Sequence, residues 1–348
     1  MKKNILIVLV TIGIFTSCKN ETKEIKNKEV SLKEVNVYTH RHYPADQELF
    51  AQFEKQTGIT VNVVNASADE LMQKMMQEGE QSPADVLITV DAGRLVRATD
   101  ENLLQPISSE ILNTIIPENL RAENGEWYGL TKRARVLAYA KDRVQPEDLS
   151  TYENLANADW KGKILVRSSG NIYNQSLMAS IIANNGKEAA KAWAEKVVSN
   201  MARSPKGNDR DQVKAVVAGE GDIAIVNTYY IGKLLNSKDP VEVKAGERVG
   251  IFFPNQNGRG THINISGAGV AKYAPNKENA IAFIEFLASK EAQEVFAKAN
   301  YEYPVNPAVS ASPLLQSWGT FKEDSLSLSE LGKNNKSAVM LFDVVGWK

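Results

Sequence analysis

Cysteine, histidine and net charge are all scarce in this chain. Its 348 residues hold one cysteine, Cys18, and three histidines. No disulfide can form within the chain, and a zinc site built on clustered Cys and His ligands lacks its raw material. The formal net charge is -1, which removes the electrostatic case for nucleic acid as a partner. Outside the N-terminus no segment is apolar enough to cross a membrane. There is no G-x-S-x-G, no H-E-x-x-H and no P-loop, and no evident nucleophile with its base. The glycines of "GEGDIA" precede a strand rather than follow one, so they do not make a dinucleotide loop. An enzyme is therefore not expected.

What is present starts with "MKKNILIVLVTIGIFTSC". Lys2 and Lys3 form a basic start, and residues 5–15 are an apolar run well short of the about 20 residues a spanning helix needs. Thr16 and Ser17 then precede Cys18. The pattern is that of a secretory signal peptide. It resembles a bacterial lipoprotein signal, which implies cleavage after residue 17 and lipidation of Cys18. Phe15 stands where such signals more often carry leucine. Residues 18–33 are polar and charged, as expected of a flexible tether. The expected location is outside the cytoplasm, anchored to a membrane by the lipid.

From Glu34 the hydrophobic period alternates between strand and helix. Strands are expected at 35–40, 59–66 and 84–90, and helices at 44–58, 67–79 and 94–104. Pro44 opens the first helix and Gly58 stops it. Ser67 and Glu70 form a capping box on the second. Residues 162–168 and 221–227 read as further strands, with helices over 175–202 (broken near 185–186) and 211–218. Two more strands follow in "VGIFFP" and "HINISGAGVAKY". The run 276–299 reads as two helices split near Ser289. This βαβαβ habit predicts an α/β fold with mostly parallel sheets covered on both faces. The extended segment 126–142 joins two such units, so two lobes with a cleft between them are expected.

Ligands of open α/β sheets bind beyond the carboxyl ends of strands. Three strand ends carry tyrosine: "HRHYPAD", "SGNIYNQS" and "TYYIG". They contribute Tyr43, Tyr173, Tyr229 and Tyr230, four of eleven tyrosines, together with His42. Phenolate is a hard anionic oxygen donor. Ionising one phenol at pH 7 costs roughly 4 kcal/mol, which a divalent ion rarely offsets but ferric iron can. Four phenolates on Fe3+ leave one net negative charge, so nearby cations should help. Arg41, Arg167 and Arg203 are candidates, as are helix N-termini. Read as isolated residues, the tyrosines could equally be core-edge aromatics.

Two other readings remain. His40 and His42 share a strand face and could serve a divalent ion, though His262 is the only other imidazole and His40 reads as structural. On the same fold, neutral tyrosines could instead bind a small organic or oxyanion solute.

Taken together, "RHYPAD", "SPADVLITVD", "TKRARV", "RSSGNIYNQSL", "GNDRDQVKAV", "NTYYIG", "FFPNQNGRGTHINISGAG" and "YEYPV" resemble the ferric-iron-binding periplasmic proteins of ABC iron importers, in particular their cyanobacterial-type branch. The resemblance runs from about residue 34 to 348. It implies a type II periplasmic-binding-protein fold of two hinged α/β lobes with Fe3+ in the interlobe cleft. The implied lobes are 34–125 with about 260–308, and about 126–259 with 309–348. The family's ligands fall on His42, Tyr43, Tyr173, Tyr229 and Tyr230. Implied partners are an ABC permease and its ATPase, and the implied state is a monomer. Other branches use a glutamate after the "ADV" strand together with a bound anion. Here that strand ends at Val90, followed by Asp91; the glutamate is absent and Tyr173 is present instead, which resembles the anion-independent branch, with Asp91 an alternative ligand.

Overall fold

The structure is a computed structural model that describes residues 33–41 and 43–348. The signal peptide, Cys18, almost all of the tether and the expected ligand His42 lie outside the described residues. Among the described residues, no helix is long and apolar enough to cross a membrane.

Among the described residues there are nine strands: β1 (Glu34–Thr39), β2 (Thr60–Asn65), β3 (Val86–Val90), β4 (Tyr128–Ala140), β5 (Ile164–Leu165), β6 (Ile223–Asn227), β7 (Val249–Phe252), β8 (Ile263–Val270) and β9 (Tyr303–Pro304). Their order is β2-β1-β3-β8-β4-β6-β5, with β7 and β9 also paired to β4. Pairing is parallel between β1 and β2, β1 and β3, and β5 and β6. Every antiparallel pair involves β4 or β8. Three pairings are parallel and five antiparallel, so the sheet is mixed rather than mostly parallel as the βαβ pattern suggested, because the long strands β4 and β8 run against every neighbour they pair with.

The long strand β4 changes partners midway. Its residues Tyr128 to Ala134 lie against β8, and Arg135 to Tyr139 lie against β6. A 13-residue strand can do this because its interior is almost wholly apolar or buried.

The helices follow local chemistry. Pro44–Thr57 starts with proline and ends on Gly58 at φ 70°, a left-handed conformation that suits glycine. Ser67 and Glu70 make both bonds of their capping box. Ser289 ends one helix and caps the next, so 276–299 is indeed two helices. Phe50 and Phe53 pack on Phe283 at centroid distances of 5.2 and 5.1 Å. That contact seats helix Pro44–Thr57, and with it the preceding Tyr43, on the first half of the sheet.

One expectation needed revision. The strand expected over 162–168 is only Ile164–Leu165. The carbonyl of Arg167 accepts from Asn174 and Trp347, and that of Ser168 from Asn174. These residues leave the sheet to seat the helix Ile172–Asn185, which begins three residues earlier than expected.

Candidate metal site

Two neighbouring tyrosines converge because a strand ends and a helix begins beneath them. Asn227 closes β6 and is the N-cap of helix Thr228–Leu235, so Tyr229 and Tyr230 occupy its first turn. The Asn227 amide donates to Asp209 Oδ2 at 2.7 Å, which pins the junction. The two rings lie 4.3 Å apart with 33° between their planes.

Tyr173 arrives from another strand end. It is the second residue of Ile172–Asn185, whose cap Asn171 accepts from the Tyr173 amide at 3.2 Å. The Tyr229 hydroxyl donates to the Tyr173 hydroxyl at 3.2 Å. Tyr43 comes from the first half of the sheet, immediately before helix Pro44–Thr57. Lys233 spans the gap: its Nζ is 4.4 Å from the Tyr43 ring centroid and 5.3 Å from that of Tyr229. Tyr43, Tyr173, Tyr229 and Tyr230 are therefore brought together.

The surroundings are cationic. Arg41 is buried, pairs with Asp46 at 2.8 Å and stands 5.1 Å from the Tyr43 ring. Arg133 pairs with Glu302 at 3.0 Å and lies 5.8 Å from the Tyr229 ring. Arg135 and Arg167 share Asp209 at 2.7 and 3.3 Å, and both face the Tyr173 ring. With Lys233, five cations meet three carboxylates, an excess of two positive charges before any phenol ionises. Buried nitrogens of Arg41, Arg133, Arg135 and Arg167 also lack a hydrogen-bond partner among the described residues. The site is thus electrostatically prepared for negative charge on its oxygens. Arg203 is not part of it: its guanidinium donates to Glu220, Gln212 and the Ser204 carbonyl.

Without a metal Tyr43, Tyr173 and Tyr229 hold their protons. Burial pushes Tyr229 well above the ordinary phenol range, and charge on Tyr173, Tyr230 or Tyr43 would push it further while Arg133 opposes. Burial likewise raises Tyr173 to about 12, with Tyr230 adding and Arg133 opposing. Tyr43 is raised by burial and by Glu302, against Arg41. Ionising Tyr173 alone at pH 7 costs on the order of 7 kcal/mol. Only a small, highly charged cation repays such a cost several times over. Among the described residues no group of three His, Cys, Asp or Glu could hold a metal ion.

Asp91 is engaged elsewhere. Its carboxylate accepts from Gly93 N at 2.9 Å, Ser176 Oγ at 2.6 Å and Asn264 Nδ2 at 2.9 Å, and it is fully buried. Both oxygens are committed within the protein. His40 Nδ1 meets Thr89 Oγ1 at 3.2 Å. His262 is buried with Tyr173, Arg133, Arg135, Asn227 and Asn264 around a small pocket, and burial and Arg135 hold it down to about 3, hence neutral.

Sequence reasoning named neither Arg133, Lys233 nor Glu302. A signal existed for the first: "TKRARV" puts three cations inside an otherwise apolar crossing segment. Lys233 sits one turn beyond Tyr229, on the same helical face.

A two-halved α/β sheet with a buried tyrosine cluster where the halves meet fits the architecture of a periplasmic binding protein. Residues 48–323 match the model of the bacterial extracellular solute-binding proteins, and the chain belongs to that family. It is 49% identical over 342 residues to iron uptake protein A1 of Synechocystis sp., covering 98% of this chain and 95% of that protein. A Trichodesmium protein solved with iron and citrate ligands is 53% identical and superimposes with a TM-score of 0.89, over 90% of this chain and all of that one. A ferric binding protein from Campylobacter jejuni is 46% identical with a TM-score of 0.85, over the same shares.

Proposed function

We propose that the chain captures ferric iron between its two lobes and delivers it to an ABC importer, tethered outside the cytoplasm by a lipid on Cys18. The observation that carries this reading is the convergence of four phenols inside a ring of surplus cations. Relatives named for iron uptake, and one solved with iron, agree with it. The lobes follow 34–125 with 260–308 and 126–259 with 309–348. Their support is the change of partner within β4, inside the segment expected to cross between them.

In this mechanism Tyr229 and Tyr230 take the ion first, with Tyr173 beside them on the same lobe. Rotation of the lobes then brings Tyr43, and His42 next to it, from the other side. Closure is favoured because it adds ligands, so iron shifts the population toward the closed form. Arg41, Arg133, Arg167 and Lys233 balance the phenolates that binding creates. The closed form docks on a permease, and opening releases the ion. Each phenol regains a proton on release.

The test is a visible spectrum before and after ferric citrate is added. A red to purple charge-transfer band is expected, weakened in Tyr229→Phe and in Tyr230→Phe. No colour at saturating iron would end this reading and leave the cationic cleft to an organic or oxyanion solute.

A further inference from the structure

Asp91 has a backbone that needs explaining. It follows β3 with φ 82° and ψ 121°, a region essentially confined to glycine. Strain of this kind persists only where the surroundings over-determine the residue. Here its amide donates to the Ile265 carbonyl at 2.8 Å. Its carboxylate holds Gly93, Ser176 and Asn264. Glycine at this position would relieve the backbone and lose all three side-chain bonds.

The three bonds differ in kind. The Gly93 bond caps the residue's own helix, and the Asn264 bond ties it to the neighbouring β8. The Ser176 bond reaches helix Ile172–Asn185, which carries Tyr173. Ser176 is three residues after Tyr173 and so lies on the same helical side. Other side-chain bonds at this end of the helix join it to Tyr229, to Arg135, to the carbonyls of 167–169 and to Asn335. Among the described residues, the Ser176 bond is the one that links it to the end of β3. Gly93 permits the approach: a methyl group there would sit 3.2 Å from Asp91 Oδ1 and 3.6 Å from Ser176 Oγ.

We propose that Asp91 is a positioning residue for the tyrosine site, fixing through Ser176 the rotation and height of the helix that presents Tyr173. The hydroxyl of Tyr173 then meets that of Tyr229, and the end of β3 is locked to the wall of the cleft. The consequence for iron rests on the function proposed above; by the bounds given there the Asp91–Ser176 bond joins the two lobes beside the crossing strand β8, to which Asp91 is tied through Ile265, so the positioning is read separately in iron-free protein.

The experiment uses the full chain in detergent, with Ser176→Ala, Tyr173→Phe, the double variant and Asp91→Asn. Tyrosines carry carbon-13 at Cζ, and Tyr173→Phe assigns the Tyr173 resonance in iron-free protein. Ser176→Ala is expected to move that resonance and to weaken ferric binding by about tenfold, the low end for an outer-shell partner. In the Tyr173→Phe background it should cost nothing more. Asp91→Asn retains an acceptor oxygen and should restore most of the affinity. An unmoved resonance, or a Ser176→Ala loss that persists in full without the Tyr173 hydroxyl, overturns the proposal. If Tyr173→Phe binds iron normally, Tyr173 is no ligand, and the resonance alone then decides whether Asp91 positions it. Should Ser176→Ala not fold, Ser176→Cys, a weaker donor of similar size, gives the same readouts.

Discussion

Tyr152 and Tyr229 are equally buried, at 0% and 2% exposure, and burial raises both phenols above their ordinary range. Their neighbourhoods nevertheless differ in purpose. The Tyr152 hydroxyl donates to the Arg135 carbonyl and accepts from the His262 amide. Its partners are backbone atoms of β4 and of the residue before β8, which cannot leave. The Tyr229 hydroxyl has another phenol for a partner, in surroundings where five cations exceed their three carboxylates by two positive charges. A buried phenol is thus marked as a prospective ligand by its partner, since only the second arrangement can lose protons without breaking the sheet.

The comparison breaks most sharply with pH. Tyr43, Tyr173 and Tyr229 hold raised pKa values, so their binding a metal must release protons, and lowering pH favours the iron-free form. Linkage requires the affinity to fall about tenfold per pH unit for every proton released. Iron titrations at pH 7 and pH 5 should differ by at least about a hundredfold for one proton, and far more for several. An affinity flat across that window excludes phenolate ligands.

Substitution separates the two tyrosines directly. Tyr229→Phe should reduce iron affinity by more than about a hundredfold, the upper end for outer-shell partners, with little change in melting temperature. Tyr152→Phe should do the reverse: about 1–3 kcal/mol of stability lost through an unpaired carbonyl and amide, with the visible band intact. Chemical denaturation and ferric titration of the same two variants read both effects.

His262 sharpens the contrast on the stability side. Its folded pKa is depressed, so the unfolded chain takes up the proton first and stability is lost as pH falls from about 6.5 toward 3. Between pH 7 and 5 this one group should cost iron-free protein roughly 2 kcal/mol. His262→Gln should flatten that part of the profile. The smallest effect belongs to Arg203→Gln, which breaks an ion pair with Glu220 away from the tyrosines and should leave iron affinity within about twofold, as for a surface pair.

The helices were legible in the sequence because their ends are written in local chemistry. Gly58, Ser67 with Glu70, and Ser289 each stop or start a helix by a bond to a residue within four positions. The carboxyl-end tyrosines were legible for a related reason: each follows a strand whose apolar run announces it. The short β5 was not legible, because residues 166–168 look strand-like and only the distant Asn174 and Trp347 draw their carbonyls away. Arg133 and Glu302 were hidden too, since their burial depends on two crossing segments 169 positions apart meeting under Tyr229. Lys233 was hidden as well, because it is Tyr43, from the other half of the sheet, that brings a second phenol ring to its ammonium.

The strand β4 has a consequence for how the molecule comes into being. Its first seven residues find their strand partners in β8 and β9, both more than a hundred residues later in the chain. Until residues 263–270 are available, β3 and β4 both present open edges, and the first half of the sheet is a set of strands with a gap at its centre. The second half is built inside that gap in time. Such long-range closure makes for slow, all-or-none assembly. Neither half should therefore survive as a separately expressed fragment, and the cleft takes shape in the same step that completes the fold.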